Sequence, residues 1–286
     1  MKGAFVRALA VAAGVAAVAA GVALAANSGG FADPTADSQA APDISGVAIT
    51  NDDAGTVTVK LTLANRGLPN PTDGMGIGID TDQNPDTGSV YYGAEFELYL
   101  FNGEVVVLRP SADGTQYTQT SPPASLQISA AAGAGTFSFR ASDFGITSGF
   151  KLFALTYDND WVDAAPDIRT FNYQLAAGTT VPMLGRDTRS PVTEAIKSNG
   201  THGKTVDLFY IVADGRGETS DAIVLYRGKK VIKRFNYPLG DTSPFYYYSA
   251  RWKVPKKTKG KFRFCVTSTD RAGNKSKASC AALTIK

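Results

Sequence analysis

The stretch Thr56-Val57-Thr58-Val59-Lys60-Leu61-Thr62-Leu63 carries an apolar side chain at every second position. Successive residues of an extended chain point to opposite faces, so Val57, Val59, Leu61 and Leu63 share one face. A helix would scatter these four around its circumference, and the segment therefore reads as a half-buried strand. Related runs recur at 44–49, 75–79, 94–101, 105–108, 136–140, 151–157 and 170–175, with Gly, Pro or Asn between several of them. Asn102-Gly103 joins two runs as a tight hairpin turn would, and Ser142-Asp143-Phe144-Gly145 reads as one helical turn. Short strands punctuated in this way predict an antiparallel sandwich of jelly-roll type.

Upstream of this region the chain has the pattern of an export signal. Lys2 and Arg7 precede residues 8–26, which are only Ala, Val, Leu and Gly, and Ala23-Leu24-Ala25 supplies small residues at a cleavage site. Residues 1–25 are expected to be a cleaved secretory signal, and the protein to be secreted or extracellular, in contact with the cell wall. Residues 26–42, rich in turn formers and poor in apolar side chains, are expected to be a flexible leader to a first domain at 43–176.

Charge divides the remainder of the chain. Residues 27–185 hold 15 Asp and 3 Glu against 6 Lys and Arg, a net of −12, whereas residues 186–286 carry a net of +13. The reversal places a linker at 177–192 and a second, basic domain at 193–286. That domain repeats the strand pattern at 206–212, 222–226, 231–235, 245–254, 261–268 and 280–285, the size and strand number of an immunoglobulin-like sandwich. Cys265 and Cys280 fall on its last two predicted strands, and an oxidising compartment lets them pair. The fold class is all-β: two antiparallel β-sandwiches after a signal peptide.

The strongest chemical signal is Asp80-Thr81-Asp82-Gln83-Asn84-Pro85-Asp86. Oxygen donors at alternate positions, Asp80, Asp82, Asn84 and Asp86, suit calcium, which takes six to eight oxygens. The loop is not an EF-hand, because Pro85 stands where that motif needs Gly. An acidic hairpin held by Asx turns is the alternative. A second acidic loop, 158–163, contains Trp161, whose ring would stack on a sugar if exposed.

The run Gly76-Ile77-Gly78-Ile79-Asp80-Thr81-Asp82-Gln83-Asn84-Pro85-Asp86-Thr87-Gly88, then Gly93-Ala94-Glu95-Phe96, and later Ala165-Pro166-Asp167, resembles secreted bacterial DOMON and carbohydrate-binding-module-family-nine-like domains. The likeness spans about 43–175 and implies a sandwich that binds a sugar or, in other branches, haem. Haem is not expected, since residues 43–176 contain no His and only Met75 as an axial-ligand candidate. Sugar binders of this kind are associated with paired aromatic platforms, which Trp161 with Tyr91, Tyr92 or Tyr99 would supply. The segment Thr269-Asp270-Arg271-Ala272-Gly273-Asn274 resembles a strand-end loop of bacterial immunoglobulin-like and fibronectin-like domains.

Catalytic machinery is not expected. His202 is the sole His, both Cys have a disulfide reading, and no pair of carboxylates is singled out for glycoside hydrolysis. The basic stretches, Arg227 to Arg234 and Arg251 to Arg263, interleave with aromatics. In an exported chain they point to a polysaccharide or an anionic cell-wall polymer rather than nucleic acid, or to attraction between the two domains. The expectation is a non-catalytic binding protein with a structural calcium loop; the alternative is an adhesive surface protein with no small ligand.

Overall fold

The computed structural model describes residues 26–68, 73–159, 161–176 and 182–286, so the signal at 1–25 and part of the linker lie outside the described residues. The first domain is built from β1 (Asn27–Ala32), β2 (Ile44–Asn51), β3 (Thr56–Leu63), β4 (Asp73–Asp80), β5 (Phe96–Phe101) and β6 (Glu104–Pro110). It continues through β7 (Tyr117–Thr120), β8 (Gln127–Ala131), β9 (Ala134–Arg140), β10 (Gly149–Asp158), β11 (Trp161–Ala165) and β12 (Phe171–Gln174). One sheet runs β1-β2-β3-β9-β8; the other runs β11-β10-β4-β5-β6-β7, with β12 also paired to β10. Val57, Val59 and Leu61 are fully buried between them, as their alternation requires, against Ile77, Phe137 and Phe139. The helical turn is a single 3-10 turn at Ala141–Phe144.

The expected flexible leader, 26–42, is instead ordered. β1 pairs antiparallel with β2 from Asn27↔Asn51 to Ala32↔Gly46. An edge strand needs little apolar content, because one neighbour supplies its hydrogen bonds and here one ring, Phe31 on Phe171 at 4.6 Å, supplies its packing. Farther along, Asn65 donates to the carbonyl of Ala41 and Arg66 to that of Ala40, tying the strap after β1 to the sandwich.

Strand β4 is buried on both faces. Met75, Ile77 and Ile79 face the core, while Gly76 and Gly78 lie under the rings of Tyr99 and Phe153. A Cβ at Gly78 would come within 2.0 Å of the Phe153 ring, so only glycine admits that ring over the strand. Phe153, Leu155, Tyr92, Ala94 and Ala164 thereby form a second apolar cluster outside the main core.

The second domain comprises β13 (Val192–Ala195), β14 (Ser198–Gly200), β15 (Thr205–Ala213), β16 (Glu218–Arg227), β17 (Lys230–Asp241), β18 (Tyr248–Lys253), β19 (Gly260–Asp270) and β20 (Ser279–Ile285). Sheets β13-β15-β18 and β14-β20-β19-β16-β17 enclose Leu208, Ile223, Leu225, Phe264 and Leu283 in an immunoglobulin-like sandwich. The β14–β20 pair is parallel, an exception to the antiparallel expectation. Phe245, Tyr246 and Tyr247 precede β18 rather than belonging to it, and Phe245 and Tyr246 turn toward the first domain.

Cys265 and Cys280 are directly opposed on β19 and β20 and are bonded, closing a loop of 15 residues. A loop of that length constrains the unfolded chain by about 3 kcal/mol. Cys265→Ser with Cys280→Ser should lower the unfolding free energy of the second domain by roughly that amount in a denaturant titration. An unchanged midpoint would remove the bridge from the stability of this domain.

Candidate cation loop and the seam between the domains

Of the four donors predicted for calcium, the structure brings two together. Asp80, at the buried end of β4, and Asp82 each place an oxygen within 4.8 Å of the other and of Glu95. Glu95 was not in the predicted set. The chain returns there because Glu95 donates its amide to the Ile79 carbonyl and its carboxylate accepts from the Thr81 amide at 2.8 Å, closing the loop. Asn84 turns its carboxamide to the Asp86 amide, while its own amide donates to Asp80 and Asp82 at 2.9 Å. Asp86 points away from the cluster, into a two-point ion pair with Arg216 of the second domain, at 3.0 and 2.6 Å. Asn84 thus caps the loop through its carboxamide, and Asp86 serves as an interdomain anchor.

Asp80 is 1 % exposed, and its Oδ2 has no hydrogen-bond donor, with Lys151 Nζ 3.7 Å away. Burial and then Glu95 push its carboxyl up to about 8, opposed by Lys151. Burial also raises Glu95. Three carboxylates facing one point, one of them deeply buried, suit a hard divalent cation that replaces the missing donor. Lys151 already supplies part of that positive charge.

The aromatic platform is rearranged more strongly. Trp161 is exposed at 44 %, as a stacking ring must be, but Tyr92 is 2 % exposed. Phe245 of the second domain packs on Phe153 at 5.1 Å, Tyr91 at 5.9 Å and Tyr92 at 6.1 Å. Tyr92 also donates to the Thr242 carbonyl at 3.2 Å. Tyr92 is thus buried in the domain seam, and the half-buried Tyr91 packs at its edge. The sequence signal for this was the run Leu152-Phe153-Ala154-Leu155, apolar on both faces as a doubly covered strand is.

Charge surrounds that apolar contact. Arg189, in the linker, donates to the carbonyls of Thr87 and Gly88 at 2.6 Å, and of Ser89 and Asp113 at 3.1 Å. Arg169 reaches across to Asp241 at 2.7 Å and Glu218 at 3.2 Å, and Tyr246 donates to Asp167. A cleft of about 230 Å³ opens between the domains beside Tyr92, Lys151, Arg169 and Arg216. Its three cations are each already paired with a carboxylate, so it is charge-compensated rather than an anion trap.

No family model and no curated protein matches the chain. Among solved structures it is similar to the fibronectin(III)-like modules of CbhA from Clostridium thermocellum, at 12 % identity over 82 % of this chain and 86 % of that one, with a TM-score of 0.24. It is also similar to the calcium binding domain CBD12 of CALX1.1, at 8 % identity over 82 % of this chain and 94 % of that one, with a TM-score of 0.26. The assignment of two sandwiches rests on the strand order of the four sheets. The chain is an all-β protein of two sandwiches.

Beside the seam, Asp214 is 4 % exposed, and burial, with Asp187 and Asp270, pushes its carboxyl from 3.8 to about 6. The folded state then binds more protons than the unfolded state between those values, so this group makes stability fall as pH rises through that window. Asp214→Asn should flatten this part of the profile. Melting curves of the two proteins from pH 4 to 7 test it, and parallel profiles would refute it.

Proposed function

We propose that this is an exported, non-catalytic binding protein that attaches through its basic domain to an anionic envelope polymer. The observation that carries the reading is the position of the positive charge. β16 starts at Glu218, opposite Asp241 of β17, beside the seam, and ends at Arg227, ten residues and about 30 Å away. At that far end the Lys229–Lys230 turn lies beside the turn carrying Lys256, Lys257 and Lys259, since Arg227 donates to the Lys259 carbonyl at 3.4 Å. These five lysines are exposed and form no ion pair among the described residues. Arg216 and Arg271 at the seam end are already paired with carboxylates, whereas the lysine tip is left for another anion.

The first domain contributes a cation loop formed by Asp80, Asp82 and Glu95, in which calcium would offset three converging carboxylates. A second reading, sugar binding, is favoured by the exposure of Trp161 and by the resemblance to carbohydrate-binding domains. The disulfide supports residence outside the cytoplasm, and among the described residues no helix is long and apolar enough to cross a membrane.

Retention on an immobilised polyphosphodiester or polyuronate should be strong at low salt and lost at moderate salt, because exposed charges are screened over about 8–10 Å. Lys256→Glu with Lys257→Glu should abolish it. Retention through high salt, lost instead in Trp161→Ala, would replace the lysine tip with the sugar reading. Separately, chelation should lower the melting temperature of the wild type, and Asp80→Asn with Asp82→Asn should reduce that sensitivity. A variant as sensitive as the wild type would remove the loop as a calcium site.

A further inference from the structure

We propose a second divalent-cation site, formed by Asp37, Asp43 and Asp163 with the buried carboxylate of Asp33 nearby, that clips the strap after β1 onto the first domain. One oxygen each from Asp37, Asp43 and Asp163 lie within 4.8 Å of one another. Oxygens bound to a single calcium at 2.3–2.6 Å are separated by at most about 5 Å, so the three can share one ion without rearrangement.

Proximity of acids is common on surfaces, and the decisive observation is burial without partners. Asp43 is 3 % exposed; its Oδ2 accepts the Ala36 amide at 2.9 Å, but its Oδ1 is buried with no donor. Asp33 is 8 % exposed and neither of its carboxylate oxygens has a donor. Asp163, 1 % exposed, accepts the Ile44 amide at 2.6 Å. A buried ionised carboxylate without a hydrogen bond is strongly disfavoured unless a positive charge meets it. The charges that act on Asp33 are all negative: Asp163, Asp167, Asp37 and Asp43, which with burial push it up to about 8. Here the cluster differs from Asp80, which has Lys151 beside it.

The chemistry selects the ion. All the donors are carboxylates and Asp37 is exposed, which leaves room for water; oxygen-only, irregular, partly hydrated coordination suits calcium. The donors also come from separate parts of the fold. Asp33 and Asp37 belong to the strap, Asp43 precedes β2 and Asp163 lies in β11. An ion there joins the strap to both sheets. Positive backbone φ at Ala36 and Gln39, 71° and 53°, marks the turns that fold the strap back toward Asp43.

The test is calcium titration of the chelator-stripped mature chain by calorimetry. Asp80→Asn with Asp82→Asn should retain one calcium equivalent. Adding Asp37→Asn and Asp43→Asn should remove it or weaken it by at least about tenfold. Absence of calcium binding in the Asp80/Asp82 variant, or identical binding after the strap substitutions, would overturn the proposal. A second readout separates a metal role from a packing role. Measured at about pH 9, where the Asp33 carboxyl is ionised, Asp33→Asn removes a repulsive charge, so it should raise the melting temperature in EDTA and shrink the gain on adding calcium. A variant that melts lower in both conditions by the same amount would show a packing role only and overturn the assignment.

Discussion

The contact of Phe245 with Phe153, Tyr91 and Tyr92 is the constraint on which the arrangement of this protein turns. A sandwich ordinarily exposes the outer face of each sheet. Here the outer face of β4 and β10 is apolar, roofed by Phe153 over Gly78 and by Tyr99 over Gly76, and Phe245 completes the cover. Burying one aromatic ring contributes about 1.5–3 kcal/mol, whereas an exposed ion pair contributes about 0–1 kcal/mol. The ring therefore outweighs any single exposed ion pair of the seam, and the surrounding arginines supply direction. Arg216 on Asp86 and Arg189 on four loop carbonyls fix which edge of the acidic domain meets the basic one.

That division explains why the charge asymmetry is larger than the seam needs. If attraction between domains were its purpose, the positive groups would cluster against the first domain. Instead the seam uses a few arginines, which keep bidentate geometry when partly desolvated. The lysines, better hydrated and more mobile, occupy the opposite end of β16. Arg227 and Arg263 lie over Phe262 and Tyr226, adding aromatic surface to that half of the domain. The result is a protein with one pole internally neutralised and the other still positive.

Much of the architecture was legible because period-two alternation survives wherever one face is wet. Thr56–Leu63 and the second-domain strands carry that alternation, and the cysteines could be placed from it. The failures share a different origin: the residues concerned answer to contacts distant in sequence. β1 lacks a hydrophobic pattern because it is an edge strand, so residues 26–42 read as leader. Tyr91 and Tyr92 resemble binding aromatics until Phe245, about 150 residues later, covers them. Asp86 fits the alternating-oxygen pattern, yet Arg216 claims it; Glu95 breaks the pattern, yet the loop returns it to Asp80. Local spacing identifies acidic loops, but only the fold decides which carboxylates share a centre.

The two acidic centres differ in the origin of their counter-charge. At Asp80 the chain provides Lys151, so the loop is partly neutralised before any ion arrives. At Asp33, Asp43 and Asp163 the neighbouring charges are all acidic, and two of these residues hold buried oxygens without donors. Compensation there has to come from outside the chain. Extracellular calcium reaches concentrations that fill even oxygen sites of about 10⁻⁴–10⁻³ M affinity, whereas the cytosol does not supply them. On the proposed reading, a cation taken from solution would close the strap and complete the edge of the first domain.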